Sequence, residues 1–407
     1  MRHLVIGASA AGISAARKIR ELRPDDEITV VAKDAAVHSR CMLHHFLGGR
    51  KSAEEINFAG EDFFEKNNIR FIAEEEITSV LPAENCAVGR KSGKLPYDAL
   101  LITTGARFFI PPIPGFREAK NVYGLRDLSD AQKIKAAARG AKECVIVGSG
   151  LVGLDAAYAL CELGIKCRVI EMEDRICPLQ LDAVAAAPYQ RLFEEVGCEF
   201  FLAKKAAGSE VDDGGRMRAV LLESGERLPA DFVIVTAGVR PNIEFLEGSG
   251  VVTDRCVKVD DYMRTNVANI WAAGDVAGLS GIWPNAALQG ETAARNICGE
   301  AVKYADRYAM KNTMNFFGLT TLSLGPNASE AGDEVLVSEW RRGYTKAVIR
   351  GGRLVHLTMQ GDISNTGFWQ ELVKRGVKVK DSDKPLHRLS YADFWHYDES
   401  DGEYCWA

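Results

Sequence analysis

The segment VHSRCMLHHFLGG, Val37 to Gly49, sets Cys41 three residues before the adjacent pair His44-His45. An ionised thiol is a nucleophile and a redox group, and imidazole is the side chain that trades protons near neutral pH. The segment is therefore open to three readings: a redox thiol, one leg of a metal site, or a small residue that happens to fit there. Consecutive histidines on a helix diverge by about 100°, and no fourth ligand is evident, so no metal site is expected. The other cysteines, at 86, 144, 161, 167, 177, 198, 256, 298 and 405, contain no C-x-x-C pair. That counts against zinc or a resident iron–sulfur cluster, and most of them read as buried free thiols in a reducing compartment.

Two stretches carry glycine spacing that brings backbone close to a pyrophosphate. ECVIVGSGLVGLDAAYALCELG has a full G-x-G-x-x-G at Gly148, Gly150 and Gly153, with Leu151 and Val152 opening the helical run. Such a turn rests a diphosphate on the N–H groups and positive end of the next helix. Glu171 ends the following strand, where a carboxylate accepts from both adenosine-ribose hydroxyls and repels a 2′-phosphate. Met172, Glu173 and Asp174 come next, with Arg175 the one nearby cation, so the pattern favours NADH over NADPH. The bland readings are a ligand-free tight turn and a solvated strand-end acid. The N-terminal stretch HLVIGASAAGISAARKIREL departs from the pattern. Its turn is Gly7-Ala8-Ser9-Ala10-Ala11-Gly12, with serine at the middle glycine position, and Ala32 stands where the ribose acid belongs. Contacts there fall to the pyrophosphate, and Lys33 is placed either to approach a phosphate or to be solvated.

The turns need elements to hold them. Each follows a β-rich run and is succeeded by another, EITVVAKD and KCRVIEMED, and this alternation implies parallel sheets with right-handed crossovers. YDALLITTGARFFIPPIPG reads as a buried strand and a proline-rich connector; DFVIVTAGVRPN and NIWAAGDVAG read as strands ending in glycine turns. Beyond about Asp306, FFGLTTLSLG, TKAVIRGGRLVHLTMQGD with a hairpin at Gly351-Gly352, and GFWQELVKRG outline a small α+β domain. The expected fold class is α/β: two Rossmann-like dinucleotide-binding domains, one inserted in the other, plus that C-terminal domain. Expected boundaries are 1–110 with 236–305, 111–235, and 306–407. The aromatic, acidic tail YADFWHYDESDGEYCWA suits either solvent or docking on a neighbour.

The totals set limits. A chain of 407 residues, 47% hydrophobic and 26% charged, is ordinary globular material with room for two or three cores. A net charge of −6 offers no broad basic surface to nucleic acid. No apolar run approaches the roughly 18 residues a membrane helix needs, so no membrane insertion is expected. The N-terminus enters an apolar strand at once, without the layout of a secretory signal, which points to the cytoplasm.

In this order the motifs resemble the two-dinucleotide-domain flavoprotein reductases of the FAD/NAD(P)-dependent pyridine nucleotide-disulfide oxidoreductase superfamily. They comprise the first turn, TTGA (Thr103–Ala106), the second turn, TAGVRPN (Thr236–Asn242), TNVANIWAAGDVA (Thr265–Ala277) and WPNAALQGETAARNICG (Trp283–Gly299). The resemblance covers nearly the whole chain and implies FAD in the first domain and NAD(H) in the inserted one. It assigns Gly7, Ser9, Ala10, Ala11, Gly12, Lys33, Arg40, Thr104, Gly105, Gly274, Asp275 and Gln289 to FAD. Asp275 matches the acid on the ribityl chain, Gly274 allows close backbone approach, and Gln289 and Gly290 match the helix that starts near the flavin. Gly148, Gly150, Leu151, Val152, Gly153, Glu171 and Gly238 go to NAD.

SRCMLHHFLGG, PLQLD (Pro178–Asp182), NFFGLTTLSLG and GDISNTG look most like the branch of rubredoxin reductases and the nitrite reductase flavin module. That branch implies electron transfer between NADH and a protein acceptor: rubredoxin, ferredoxin or an iron–sulfur subunit. The chain would act as a homodimer or as the diaphorase subunit of a heteromeric complex. The resemblance leaves Cys41 open. Disulfide reductases of the superfamily carry a second cysteine about five residues on; here that place is Phe46, which excludes dithiol chemistry at this spacing. A sister branch uses one cysteine, followed by x-Leu-Pro-Tyr, on coenzyme A disulfide, peroxide or oxygen. Cys41-Met42-Leu43 matches it, and His44-His45 replaces Pro-Tyr. In the rubredoxin-reductase-like branch the cysteine place is commonly proline, with a basic residue before it near the flavin. Arg40 matches that residue, and Cys41 is then a spectator. The catalytic candidates are thus Arg40 and Cys41. From Glu171, kcat/KM for NADH is expected to exceed that for NADPH; equal values in steady-state assays remove the argument.

Overall fold

The strands Arg2–Ile6 and Ala99–Ile102 read RHLVI and ALLI, and all but Arg2 of these residues are buried. Continuous apolar runs of this kind belong to parallel sheets covered on both faces. In the computed structural model, which describes residues 1–306, 311–341, 343–379, 384–400 and 402–406, they sit at the centre of a five-stranded sheet. Its order is Ile270–Ala272, Ala99–Ile102, Arg2–Ile6, Glu27–Val31, Arg70–Ile72, all parallel. The side chain of Cys405, read from sequence as a buried thiol, lies outside the described residues.

Two compact units divide the chain. The first holds Met1–Gly148, Val152–Val169 and the described residues from Ala206 to 306. One face of its first sheet is covered by the helices Ala10–Leu22 and Trp283–Ile297, with Ile13, Ala16, Ile19, Ala293, Ala294 and Ile297 in the buried cluster. The other face packs Leu4, Ile6, Leu100 and Ile102 against Val80, Tyr97, Val257 and Val276. Between Ala99–Ile102 and Ile270–Ala272 the chain builds a second parallel sheet. There Glu143–Val147 pairs in register with Phe232–Val235, which in turn pairs with Val122–Tyr123. This is the insertion of one Rossmann-type unit in another.

The second unit joins Ser149–Leu151 and Ile170–Lys205 to the described residues from 311 onward. Five antiparallel strands run in the order Lys311–Phe316, Leu319–Leu324, Arg353–Gly361, Gly343–Arg350, Glu334–Trp340. The Gly351-Gly352 hairpin is present, with φ of 56° and 76°, the left-handed pair a two-residue turn of this twist requires. One face of the sheet, with Leu322, Ala347, Leu357 and Met359, packs on the helix Thr366–Arg375 through Phe368, Trp369 and Leu372. The other face is polar yet buried. Ser323 donates to the Gln180 carbonyl (2.9 Å), Gln360 to the Ala185 carbonyl (2.9 Å) and Tyr344 to Asp182 (2.5 Å), while Lys346 lies 3.3 Å from Asp182. Tyr189, from the helix Ala183–Glu195, donates to the Leu319 carbonyl (2.8 Å).

Among the described residues no helix is long and apolar enough to cross a membrane. The helices Ala10–Leu22 and Trp283–Ile297 touch where a Cβ on Gly290 would stand 2.1 Å from the Ala11 carbonyl oxygen. Gly290→Ala is therefore expected to lower stability by about 1–3 kcal/mol through overpacking. Urea denaturation reads it, and unchanged stability would mean the helices can part freely.

Candidate active site

Both glycine turns are built alike. Gly7 has φ +116°, and a Cβ on Gly12 would lie 1.9 Å from the Gly7 carbonyl oxygen. Gly148 has φ +103°, and a Cβ on Gly153 would lie 2.1 Å from the Gly148 carbonyl oxygen. A threonine hydroxyl closes each turn: Thr103 to the carbonyls of Ile6 (2.9 Å) and Gly7 (3.1 Å), Thr236 to those of Val147 (3.1 Å) and Gly148 (3.0 Å). Sequence reasoning passed over this role, although TTGA and TAGV each place a threonine directly after a buried strand.

At the first turn Ser9 is the N-cap of the helix Ala10–Leu22, its side chain makes no cap bond, and no acid sits in the first turn. Ala10, Ala11 and Gly12 are buried there. The free helix end suits an anion. Gly274 (φ +82°) donates its N–H to Gln289 Oε1 at 2.8 Å, while Gln289 Nε2 is buried with no hydrogen-bond partner. A buried amide of this kind is costly unless something accepts from it. These features fit a dinucleotide. Gly105 lies under Arg40, whose Nη1 is 3.1 Å from where a Gly105 Cβ would be. Thr104 bonds the Asn242 carbonyl at 2.9 Å. Lys33 is exposed.

Three residues not singled out in the sequence join this region. Arg126 donates to the Ala106 carbonyl (3.0 Å) and pairs with Asp275, both side chains less than a fifth exposed. Asp127 pairs with Arg40 at 3.1 Å. Asp34 stands two residues past Ala32; burial raises its carboxyl above the usual range, and Asp127 adds to the rise. Asp34, His38 and Asp127 present donor atoms within 4.8 Å of one another. Both His38 nitrogens are engaged, Nδ1 toward the Ala36 carbonyl (3.2 Å) and Nε2 accepting the Leu128 N–H (3.3 Å), and Arg40 already neutralises Asp127. That arrangement supplies no metal ligand from the ring.

At the second turn, space above Gly150 is open, with nothing within 4 Å of a would-be Cβ. Val152 is exposed and Leu151 partly so. Gly238 is exposed at φ +98°. Glu171 Oε2 accepts from the Ser149 N–H (2.9 Å) and hydroxyl (2.7 Å), and Oε1 from the Glu173 N–H (3.0 Å). The carboxylate is held by the turn itself, leaving its remaining lone pairs for a ribose.

Arg40–Met42 forms a 3-10 turn that runs directly into the helix Leu43–Leu47, and it leaves Cys41 exposed. Crowding around the sulfur nevertheless raises the thiol pKa; the Asp155 carboxylate adds to this, while Arg126 and Arg40 act against it. The His44 and His45 rings lie 4.0 Å apart at a tilt of 40°. Burial holds His44 down to about 4, with His45 and Arg50 adding to the fall.

Residues 1–290 match the family described as pyridine nucleotide-disulphide oxidoreductase, and the chain belongs to it. It is a FAD- and NAD(H)-dependent oxidoreductase. It is 30% identical over 389 residues, 92% of this chain and 91% of the relative, to an NADH-dependent phenylglyoxylate dehydrogenase subunit epsilon of Aromatoleum evansii. It is 27% identical to a NADH-rubredoxin oxidoreductase of Clostridium acetobutylicum, covering 96% and 97% of the two chains. A solved NAD-dependent persulfide reductase from A. fulgidus aligns with a TM-score of 0.84 at 26% identity, over 95% of this chain and 80% of that one.

Removing Arg126 strands the largely buried Asp275 carboxylate. Arg126→Ala is expected to cost about 3 kcal/mol, read by urea denaturation of the FAD-loaded protein; a loss no larger than an exposed ion pair would give assigns the pair no structural weight.

Proposed function

We propose that the chain is the NADH-oxidising flavin component that hands electrons to a protein acceptor, a rubredoxin, a ferredoxin or the iron–sulfur subunit of a larger cytoplasmic complex. FAD supplies the chemistry, taking a hydride from nicotinamide and releasing electrons singly. The chain's own residues hold and orient. The turn at Gly7–Gly12, with Arg40, Thr104, Gly105, Gly274, Asp275 and Gln289, takes FAD, and the turn at Gly148–Gly153, with Glu171 and Gly238, takes NAD(H). The domain division at 110, 235 and 305 belongs to the same reading.

The observation that carries it is the state of Cys41. Its partner position is Phe46 and its thiol is held above the ordinary range, whereas disulfide and peroxide chemistry needs a thiolate. Likeness along nearly the full length of a dehydrogenase subunit and of a rubredoxin oxidoreductase supports a protein acceptor. A second reading, a single-cysteine disulfide, coenzyme A disulfide or peroxide reductase, rests on the exposure of Cys41 and the likeness to a persulfide reductase.

Cys41→Ser is expected to keep NADH-to-dye activity while FAD-loaded, and a near-complete loss sinks the spectator role. Anaerobic titration with NADH is expected to bleach FAD with no thiolate-to-flavin charge-transfer band; such a band supports the second reading. Gel filtration from the native host separates a lone homodimer from a heteromeric complex.

A further inference from the structure

Asp155 is a carboxylate on a helix of small and apolar residues, Leu151–Glu162, where its neighbours Leu154, Ala156 and Ala157 are fully buried. Its Oδ1 lies 3.6 Å from His44 Nδ1, a nitrogen sealed from solvent with no hydrogen-bond partner. At this separation no bond is formed, but acid–base contacts in the absence of ligand are often long and tighten when the site fills. His44 follows Cys41 by three residues, across the step from the 3-10 turn Arg40–Met42 into the helix Leu43–Leu47, and the Asp155 carboxylate acts on the Cys41 thiol directly. The carboxyl thus stands within reach of both imidazole and thiol, and neither Asp155 nor His44 has a part in the dinucleotide contacts proposed above.

We propose that Asp155 and His44 hold one proton between them beside Cys41, and that this proton governs the ionisation of its thiol. The surroundings set where the proton rests. Burial pushes Asp155 up to about 7, with 29% of its side chain still open to solvent to screen part of the effect, and holds His44 down to about 4. Between about pH 4 and neutrality the carboxyl therefore keeps its proton and the imidazole is neutral, with Nδ1 the acceptor facing it. The charged groups around the pair are Arg50, which is tied to Glu162 and Tyr158, with Lys51 acting on His45. Around the thiol they are Arg40, Arg126, Asp275 and Asp155 itself.

As pH rises through neutrality the Asp155 O–H bond breaks and its proton leaves to water. The carboxylate left behind repels a thiolate, so loss of the S–H proton from Cys41 becomes harder over the same range. Only protons move, and the electron count of each group is unchanged. The inference does not depend on which acceptor takes the electrons from this enzyme.

The test is the rate of Cys41 alkylation by iodoacetamide in the FAD-loaded protein, read by peptide mass spectrometry because Cys161 and Cys256 are also partly exposed. In the wild type the logarithm of the rate is expected to climb by less than one per pH unit above about pH 7. In Asp155→Asn the slope returns to one, and the rate at about pH 8 rises about three- to tenfold. Superimposable profiles overturn the proposal, as does a Cys41 that resists the reagent at every pH in both proteins. An infrared titration covers a variant that folds poorly. The wild type should show a protonated-carboxyl band at about pH 6 that is gone by about pH 8.5, with its midpoint displaced in His44→Gln. No titrating buried carboxyl, or a midpoint unmoved in His44→Gln, overturns it as well.

Discussion

The contact on which the rest of this molecule depends is a backbone carbonyl pressed against a position that has no side chain. At Gly12 and Gly153 any Cβ would fall within about the length of a covalent bond or two of the carbonyl at the start of its own turn. Strand, turn and helix can then leave no slack, and the threonine hydroxyl bridging two carbonyls fixes the remaining freedom. The helix end, with its unpaired N–H groups, is thereby aimed at one point in each half. A helix end displaced by an ångström would address a different volume, so the steric fit of two glycines settles where a pyrophosphate could lie.

Around that point charge is arranged in pairs. Arg126 with Asp275 and Arg40 with Asp127 each set a cation on an acid in partly dry surroundings. Such pairs gain little net stability but fix geometry, since breaking one strands a buried charge. The order they impose reaches the 3-10 turn at Arg40–Met42, and so the attitude of Cys41.

Much of this was legible in the sequence because it follows from local rules. The parallel strands are continuous apolar runs, the glycine turns have fixed spacing, and Gly351-Gly352 satisfies a turn that few other residues tolerate. What escaped has a physical reason in each case. Arg126 and Asp34 owe their roles to partners far along the chain, and nothing in their immediate neighbours marks them. Asp155 did leave a trace, a lone acid inside GLVGLDAAY, but one charge among small residues does not say which way it points. The alternation TLSL in Leu319–Leu324 implies one buried and one wet face, yet Thr321 and Ser323 are as buried as Leu322 and Leu324. Hydrogen bonds to the 180–189 segment, invisible in any local window, make that possible.

Those hydrogen bonds also bear on how the chain emerges from the ribosome. The segment Ile170–Lys205 is synthesised well before the strands that donate to its carbonyls and its acid, and until Arg353–Gly361 has been made Ala185 lacks its Gln360 partner. Long-range pairing of this kind is slow because the loop must close before any contact rewards it. The surface exposed in the interval holds carbonyls and an acid that water solvates well, beside the rings of Tyr189 and Phe193, which later pack on Phe316. Assembly of this unit therefore exchanges water for hydroxyl and amide donors and buries those two rings in the same step.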